Sequence, residues 1–276
     1  MKKIYFIIMI LFTFIIASCD KMEEPYTSAI PAKEWNGKKV LLEDYTGHKC
    51  PNCPSAAVIA KDIKDLYKDK VIILAVHAGF YAKPSPPIFP EDFRTTTGDD
   101  WNTFFGFLTY PNGMINRKGF PGKHIASSGD WAGNVGKALA EVPEIELKIA
   151  KTYTVADTNV TGKVTAKFLK SIKKKLRLQI LITEDSIIAP QIDGANTIPN
   201  YIHRHMLRAS VNGDWGSSLT NGNSYNLIDS ELSQDFQFSL KATSSWKYNV
   251  KQCSIIAFVY DDNTKEILQS EEIHIE

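Results

Sequence analysis

The stretch Lys49-Cys50-Pro51-Asn52-Cys53-Pro54 carries the residues best suited to chemistry. Two thiols with two residues between them can close a disulfide. At the start of a helix, unpaired backbone N–H groups and the positive end of the dipole favour a thiolate. A thiol so placed has its pKa lowered to roughly 3.5–7.5, against about 8.5 when free. Cys50, expected at the N-cap, is the candidate nucleophile, and Cys53 is the candidate resolving thiol. Two other readings stay open: half of a zinc site, or an inert structural disulfide. A zinc site would want a second ligand pair at short spacing, and the chain has no other CxxC and no CxxH or HxxxH.

The neighbouring sequence supplies elements to hold this pair. Val40 to Tyr45 reads as a strand. Ile59, Ile63, Leu66 and Tyr67 mark one face of a helix, which Pro54 suits at its first turn. Val71 to Val76 is an apolar run rich in β-branched residues, as expected for a strand buried on both faces. Together these predict a right-handed βαβ unit. Residues 79–109 read as an insertion, with Pro84, Pro86, Pro87 and Pro90 followed by Trp101, Phe104, Phe105 and Leu108 at helical spacing. Tyr110-Pro111 resembles the cis-proline that thioredoxin-like proteins place beside their dithiol, where the preceding backbone can pair with an extended substrate. Pro111 therefore joins Cys50 and Cys53 as a candidate catalytic position. Lys49, Pro51, Asn52 and Tyr110 are candidate substrate contacts, and His77, at a strand end, is a candidate proton partner. Ser127 to Val142 closes this part as a helix, with a boundary near Pro143.

Beyond Pro143 the apolar period changes to two, as in Ile145-Glu146-Leu147-Lys148-Ile149 and Leu176-Arg177-Leu178-Gln179-Ile180. About seven short runs of this kind, with turn clusters at Asp157-Thr158-Asn159 and Asp261-Asp262-Asn263, predict a β-sandwich. His203 and His205, two apart, would share a strand face, but no third ligand is near in sequence and no metal or cofactor is assigned. Cys253 heads a strand-like run and reads as a buried thiol.

The first residues read as a targeting segment. Lys2 and Lys3 precede an apolar stretch, Ile4 to Ile16, too short to span a membrane comfortably. Ala17-Ser18-Cys19 resembles a lipoprotein lipobox, so residues 1–18 are expected to be removed and Cys19 lipidated, with 19–37 as a tether. Cleavage would take two of the 32 basic residues and leave the 31 acidic ones one in excess. No basic field remains to attract nucleic acid. With Cys19 lipidated, an odd count of three cysteines argues for one bridge, Cys50–Cys53, and one leftover thiol. Asp20-Lys21-Met22-Glu23-Glu24 resembles the signal that takes Bacteroidetes lipoproteins to the cell surface. In enteric bacteria an Asp beside the lipidated cysteine would favour the inner membrane instead.

The lipobox, the block Asp44-Tyr45-Thr46-Gly47-His48 running into the CxxC, Val76-His77-Ala78-Gly79, Tyr110-Pro111-Asn112-Gly113 and Tyr201…His205…Leu207-Arg208 together resemble the outer-membrane protein 28-related family of Bacteroidetes lipoproteins. That resemblance implies an α/β thioredoxin-like domain over 38–143 and an all-β immunoglobulin-like sandwich over 144–276, on an outer-membrane lipid anchor. The site departs from thioredoxin itself, with Lys49 for the usual Trp and Pro-Asn for Gly-Pro between the cysteines; Lys49 should favour the thiolate. Two functions fit. One is a thiol–disulfide oxidoreductase acting on protein thiols or disulfides of the envelope. The other is a non-catalytic surface binding protein or adhesin for a glycan, host protein or envelope protein, with the CxxC as a brace.

Overall fold

The computed structural model describes residues 37–156, 158–219, 226–241 and 247–276. The signal segment, Cys19 and nearly all of the tether lie outside the described residues, as does Asp157 of the first turn cluster. Strands β1 (Val40–Thr46) and β2 (Val71–His77) are buried along their whole length; the apolar run of β2 requires this, whereas β1 encloses Glu43 and Asp44 as well. They pair in parallel, from Val40 opposite Val71 to Thr46 opposite His77, across helix α1 (Cys53–Tyr67). Helix α1 lays Ala56, Ala60 and Ile63 on the sheet and leaves Leu66 exposed.

The insertion holds a single helical turn, α2 (Gly79–Ala82), and a longer helix, α3 (Thr96–Phe105). The Thr95 hydroxyl accepts from the Gly98 N–H at the head of α3, and Gly106 ends it in the left-handed conformation. Trp101 and Phe105 are buried, whereas Phe104 and Leu108, on the same expected face, are exposed. Next, β3 (Asn112–Ile115) runs antiparallel to β1 on its free edge, and α4 (Trp131–Leu139) packs Trp131 and Val135 into the core that β1 shares with α1.

Among the described residues ten strands follow: β4 (Ile145–Thr154), β5 (Asn159–Phe168), β6 (Leu176–Glu184), β7 (Ile187–Asp193), β8 (Asn196–His203), β9 (Met206–Ser210), β10 (Ser217–Ser218), β11 (Glu231–Ser239), β12 (Cys253–Asp261) and β13 (Ile267–His274). The expected architecture, an α/β thioredoxin-like domain followed by a separate immunoglobulin-like sandwich, is not what they build. One sheet runs through both halves in the order β13-β12-β6-β9-β2-β1-β3, with β10 added to β6, and the protein is mostly β. The seam is β9, antiparallel to β6 and parallel to β2, where Ala75 faces Met206 and the Ala75 N–H donates to the His205 carbonyl at 2.8 Å. Apolar side chains of β1 and β2 share one core with β6, β9, β12 and β13, among them Tyr45, Leu74, Leu181, Leu207 and Phe258.

A smaller sheet, β11-β5-β4, stacks on the β6 and β12 end, where Val160, Val164 and Phe168 meet Ile180, Ile182 and Ile255. Strands β7 and β8 form a hairpin of their own that periodicity did not reveal. Its two-residue turn is Gly194-Ala195, between the paired Asp193 and Asn196, with Gly194 at φ 57° in the first central position, where a hairpin turn favours glycine. The interruption of its apolar pattern by Pro190 and Pro199 hid the strands on either side.

Candidate functional site

Cys50 and Cys53 are joined in a disulfide with their Cα atoms 5.4 Å apart. The bridge sits where β1 gives way to α1, as the spacing predicts. The cap is shifted: Asn52 is the N-cap, Cys53 the first helical residue, and Cys50 lies in the turn before it, its N–H donating to the Gly47 carbonyl at 3.0 Å. Pro54 occupies the first helical turn.

The turn is closed in from two directions. On one side the α2 backbone passes directly over Gly47, and the Lys49 N–H donates to the Tyr81 carbonyl at 3.0 Å. A Cβ on Gly47 would stand 2.5 Å from the Tyr81 carbonyl carbon, so only glycine permits this approach. On the other side lies the β7–β8 hairpin. The Ile192 N–H donates to the His48 carbonyl at 2.8 Å, and the Gly194 N–H to the Pro51 carbonyl at 2.9 Å. The buried Gln191 amide donates to the Cys50 carbonyl at 3.1 Å and the Gly47 carbonyl at 3.4 Å. Cys50 and Cys53 are left 1% and 2% exposed. Nothing in the local sequence of the turn announced this cover, because the hairpin arrives from about 140 residues downstream.

Around the turn, Lys49 holds its ammonium 4.8 Å from the centre of the exposed Phe80 ring, a cation–π contact. Pro51 is half-buried and Asn52 exposed. The Tyr110–Pro111 peptide is cis, and Asn112 next to it faces Tyr45 of β1. The Tyr110 hydroxyl donates to the Asn102 side chain.

His77 is fully enclosed, and both of its ring nitrogens lack a hydrogen-bond partner. It meets His203 at 5.4 Å and Phe93 at 5.6 Å between ring centres. His48 joins the same cluster through Phe93 at 5.3 Å. Burial pushes His77 well below its ordinary pKa, and the neighbouring His203 and His48 push the same way. Burial likewise brings His48 and His203 down to about 4. These rings are neutral packing groups at pH 7. Among the described residues no three His, Cys, Asp or Glu side chains are placed to hold a metal ion. His203 and His205 do not share a strand face: β8 ends at His203, and His205, at φ 53°, turns the chain into β9 with its Nδ1 3.6 Å from Asp185.

Asp44 is a residue that motif and spacing do not single out. Its carboxyl is 3% exposed, Oδ1 accepts no hydrogen bond, and burial pushes its pKa up to about 7. The position, a carboxylate in the strand that the apolar run Val40-Leu41-Leu42 begins, was the available signal. Among the described residues Cys253 is the free thiol; its Sγ lies 3.3 Å from the Asn249 carbonyl, and burial, with Glu184 nearby, pushes its pKa up to about 12. Such a thiol is a poor nucleophile.

Fold and site define a β-rich protein with a disulfide turn, the chemistry of an oxidising compartment. Residues 99–276 match the family model described as outer membrane protein Omp28, and the chain belongs to that family. It is an outer-membrane protein. The matched segment contains the covering hairpin and leaves the disulfide turn outside it. Among solved structures, HBP35 of Porphyromonas gingivalis is similar over 87% of this chain and 76% of its own, at a TM-score of 0.65 and 18% identity. Protein AGR_C_4864 of Agrobacterium tumefaciens is similar over 87% of this chain and 96% of its own, at a TM-score of 0.51 and 10% identity. A domain of the outer membrane lipoprotein Omp28 from P. gingivalis aligns with 49% of this chain and 91% of its own, at a TM-score of 0.35 and 23% identity. No match to a curated protein was found. Among the described residues no helix is long and apolar enough to cross a membrane.

Proposed function

We propose that the chain is an outer-membrane lipoprotein, anchored through Cys19, whose Cys50–Cys53 bridge exchanges with protein thiols when the β7–β8 hairpin moves off it. One observation carries the redox half of this reading: the disulfide lies at the head of α1, where the helix dipole favours thiolate. A bridge between residues three apart is also a poor brace, because it closes so short a loop that the chain-entropy gain is only about 2 kcal/mol.

In the exchange, a partner thiolate attacks Cys50 Sγ, the S–S bond breaks, and Cys53 leaves with the bonding pair and takes up a proton. The partner's second thiolate then attacks its own sulfur in the mixed disulfide and releases Cys50 as a thiolate. The partner dithiol loses two electrons, which end on the Cys50/Cys53 pair. Lys49 and the exposed Asn52 are the contacts a partner would meet first; Pro51, Tyr110, Pro111 and His77 are assigned no step.

The near-complete burial of both cysteines favours a second reading, a surface binding protein braced by the bridge. The reduction potential of the pair separates the two. A value between roughly −120 and −270 mV, with one reactive thiol after reduction, is the expected result; a value below roughly −300 mV would leave a structural bridge. For the anchor, Cys19→Ser should release the protein from membranes, and mass spectrometry of the mature N-terminus should find the lipid. A wild-type protein recovered unlipidated in the soluble fraction would remove that part of the proposal.

A further inference from the structure

A cavity of about 350 Å³ opens between α1 and the outer face of β8. Its most buried polar lining residue is Asp44 of β1, whose Oδ1 has no hydrogen-bond partner. Val58, Ile73 and Ile202 give it apolar walls. Two cations, Lys61 and Arg204, stand exposed at its edge and feel each other's charge. Lys61 has Asp65 as an ion partner, but among the described residues no carboxylate pairs with Arg204. A buried acceptor without a donor, apolar walls and an exposed guanidinium that no described carboxylate pairs with form a graded site. Pockets of this size take small organic ligands, whose orientation a few polar groups determine.

We propose that this cavity binds a small amphipathic organic anion, with a carboxylate at Arg204 and Lys61, an apolar body against Val58, Ile73 and Ile202, and a hydroxyl donating to Asp44. The hydroxyl is favoured over an ammonium at the deep end. A neutral donor is cheaper to desolvate, and a cation would have to pass the positive edge. The site is separate from the thiol chemistry proposed above and stands or falls without it.

Calorimetric titration of the purified mature protein in detergent with 4-hydroxyphenylpropanoate, at about pH 8.5 so that the Asp44 carboxyl is ionised, tests the assignment. Binding is expected, and at least tenfold weaker binding of 3-phenylpropanoate, which lacks the hydroxyl, and of 2-(4-hydroxyphenyl)ethanol, which lacks the carboxylate; hydrogen bonds to charged groups are strong enough for that. Arg204→Ala, a surface change, should weaken the acid about tenfold and leave the alcohol unaltered. Asp44→Leu should abolish the preference for the hydroxyl, and Asp44→Ala, which also removes the acceptor, serves if the leucine variant does not fold. Three results overturn the proposal: no binding of the acid at millimolar concentration, affinities indifferent to both substitutions, or tighter binding of tyramine, whose ammonium replaces the carboxylate.

Discussion

Asp44 is the residue whose surroundings differ most from what its neighbours in sequence suggest. It stands in β1 opposite Ala75 and Gly113, buried and without a hydrogen bond to Oδ1, and its pKa is raised to about 7. The folded protein therefore holds a proton that the unfolded chain releases above its ordinary value of 3.8. Between those two values the folded state binds more protons, so this group's contribution to stability falls as pH rises from about 4 to about 7 and is then constant. Asp44→Asn cannot ionise. Urea titrations at pH 4.5, 6 and 8 should show the variant gaining on wild type by a few kcal/mol across the window. A difference independent of pH would mean that the carboxyl is ionised in the fold. Local spacing alone placed the thiol pair, and a likeness to thioredoxin-like proteins pointed to the cis Tyr110–Pro111 step. Asp44 gave no such sign, because its isolation depends on β2 and β3 beside it and on Tyr201 from far downstream.

At the scale of elements, the β7–β8 hairpin decides what the disulfide turn can do. Gln191 fastens it to the turn, and His203 at its other end packs on His77, Phe93 and Tyr201. Gln191→Ala removes the side-chain donor to the Cys50 and Gly47 carbonyls. The expected outcome is a severalfold faster reduction of the bridge by dithiothreitol with little change in its potential, since access and not the couple is altered. An unchanged rate would show that the backbone bonds from Ile192 and Gly194 hold the cover alone. The histidines add an acid limit. His203 is depressed to about 4 in the fold, so below its ordinary value of 6.5 the unfolded chain takes up a proton that the folded one refuses. Its contribution to stability is thus complete above pH 6.5 and is lost as pH falls toward 4. That trend is opposite to the one at Asp44. His203→Phe, which keeps an aromatic ring there, should gain on wild type by up to about 3 kcal/mol between pH 6.5 and 4.5 in thermal melts. A parallel pH profile would argue that the ring stays charged or reaches water.

For the whole molecule, the telling contact is a buried ion pair. Arg117, just past β3, grips Glu43 of β1, with Nε 3.0 Å from Oε2 and a terminal nitrogen 2.7 Å from Oε1, both side chains fully enclosed. Burial alone would lower the pKa of the guanidinium, but the Glu43 carboxylate outweighs it and holds the value above ordinary. The same cation lies 4.4 Å from the Trp101 ring of α3 and 5.0 Å from the Phe258 ring of β12. One side chain thus ties the βαβ unit, the insertion and the C-terminal strands together. The change of apolar period at Pro143 invites a division there. What the period could not convey is that β6 and β12 extend the sheet of β1 and β2 through β9, because pairing between strands leaves no local trace in sequence. Arg117→Ala would strand the Glu43 carboxylate and should cost about 3–5 kcal/mol, and pairing Arg117→Met with Glu43→Leu should recover most of that loss. Urea unfolding followed both by tryptophan fluorescence and by far-UV circular dichroism should give one coincident transition, displaced as a whole by Arg117→Ala. Two transitions, of which the substitution moved only one, would mean that the shared sheet does not couple the halves and that each holds itself together.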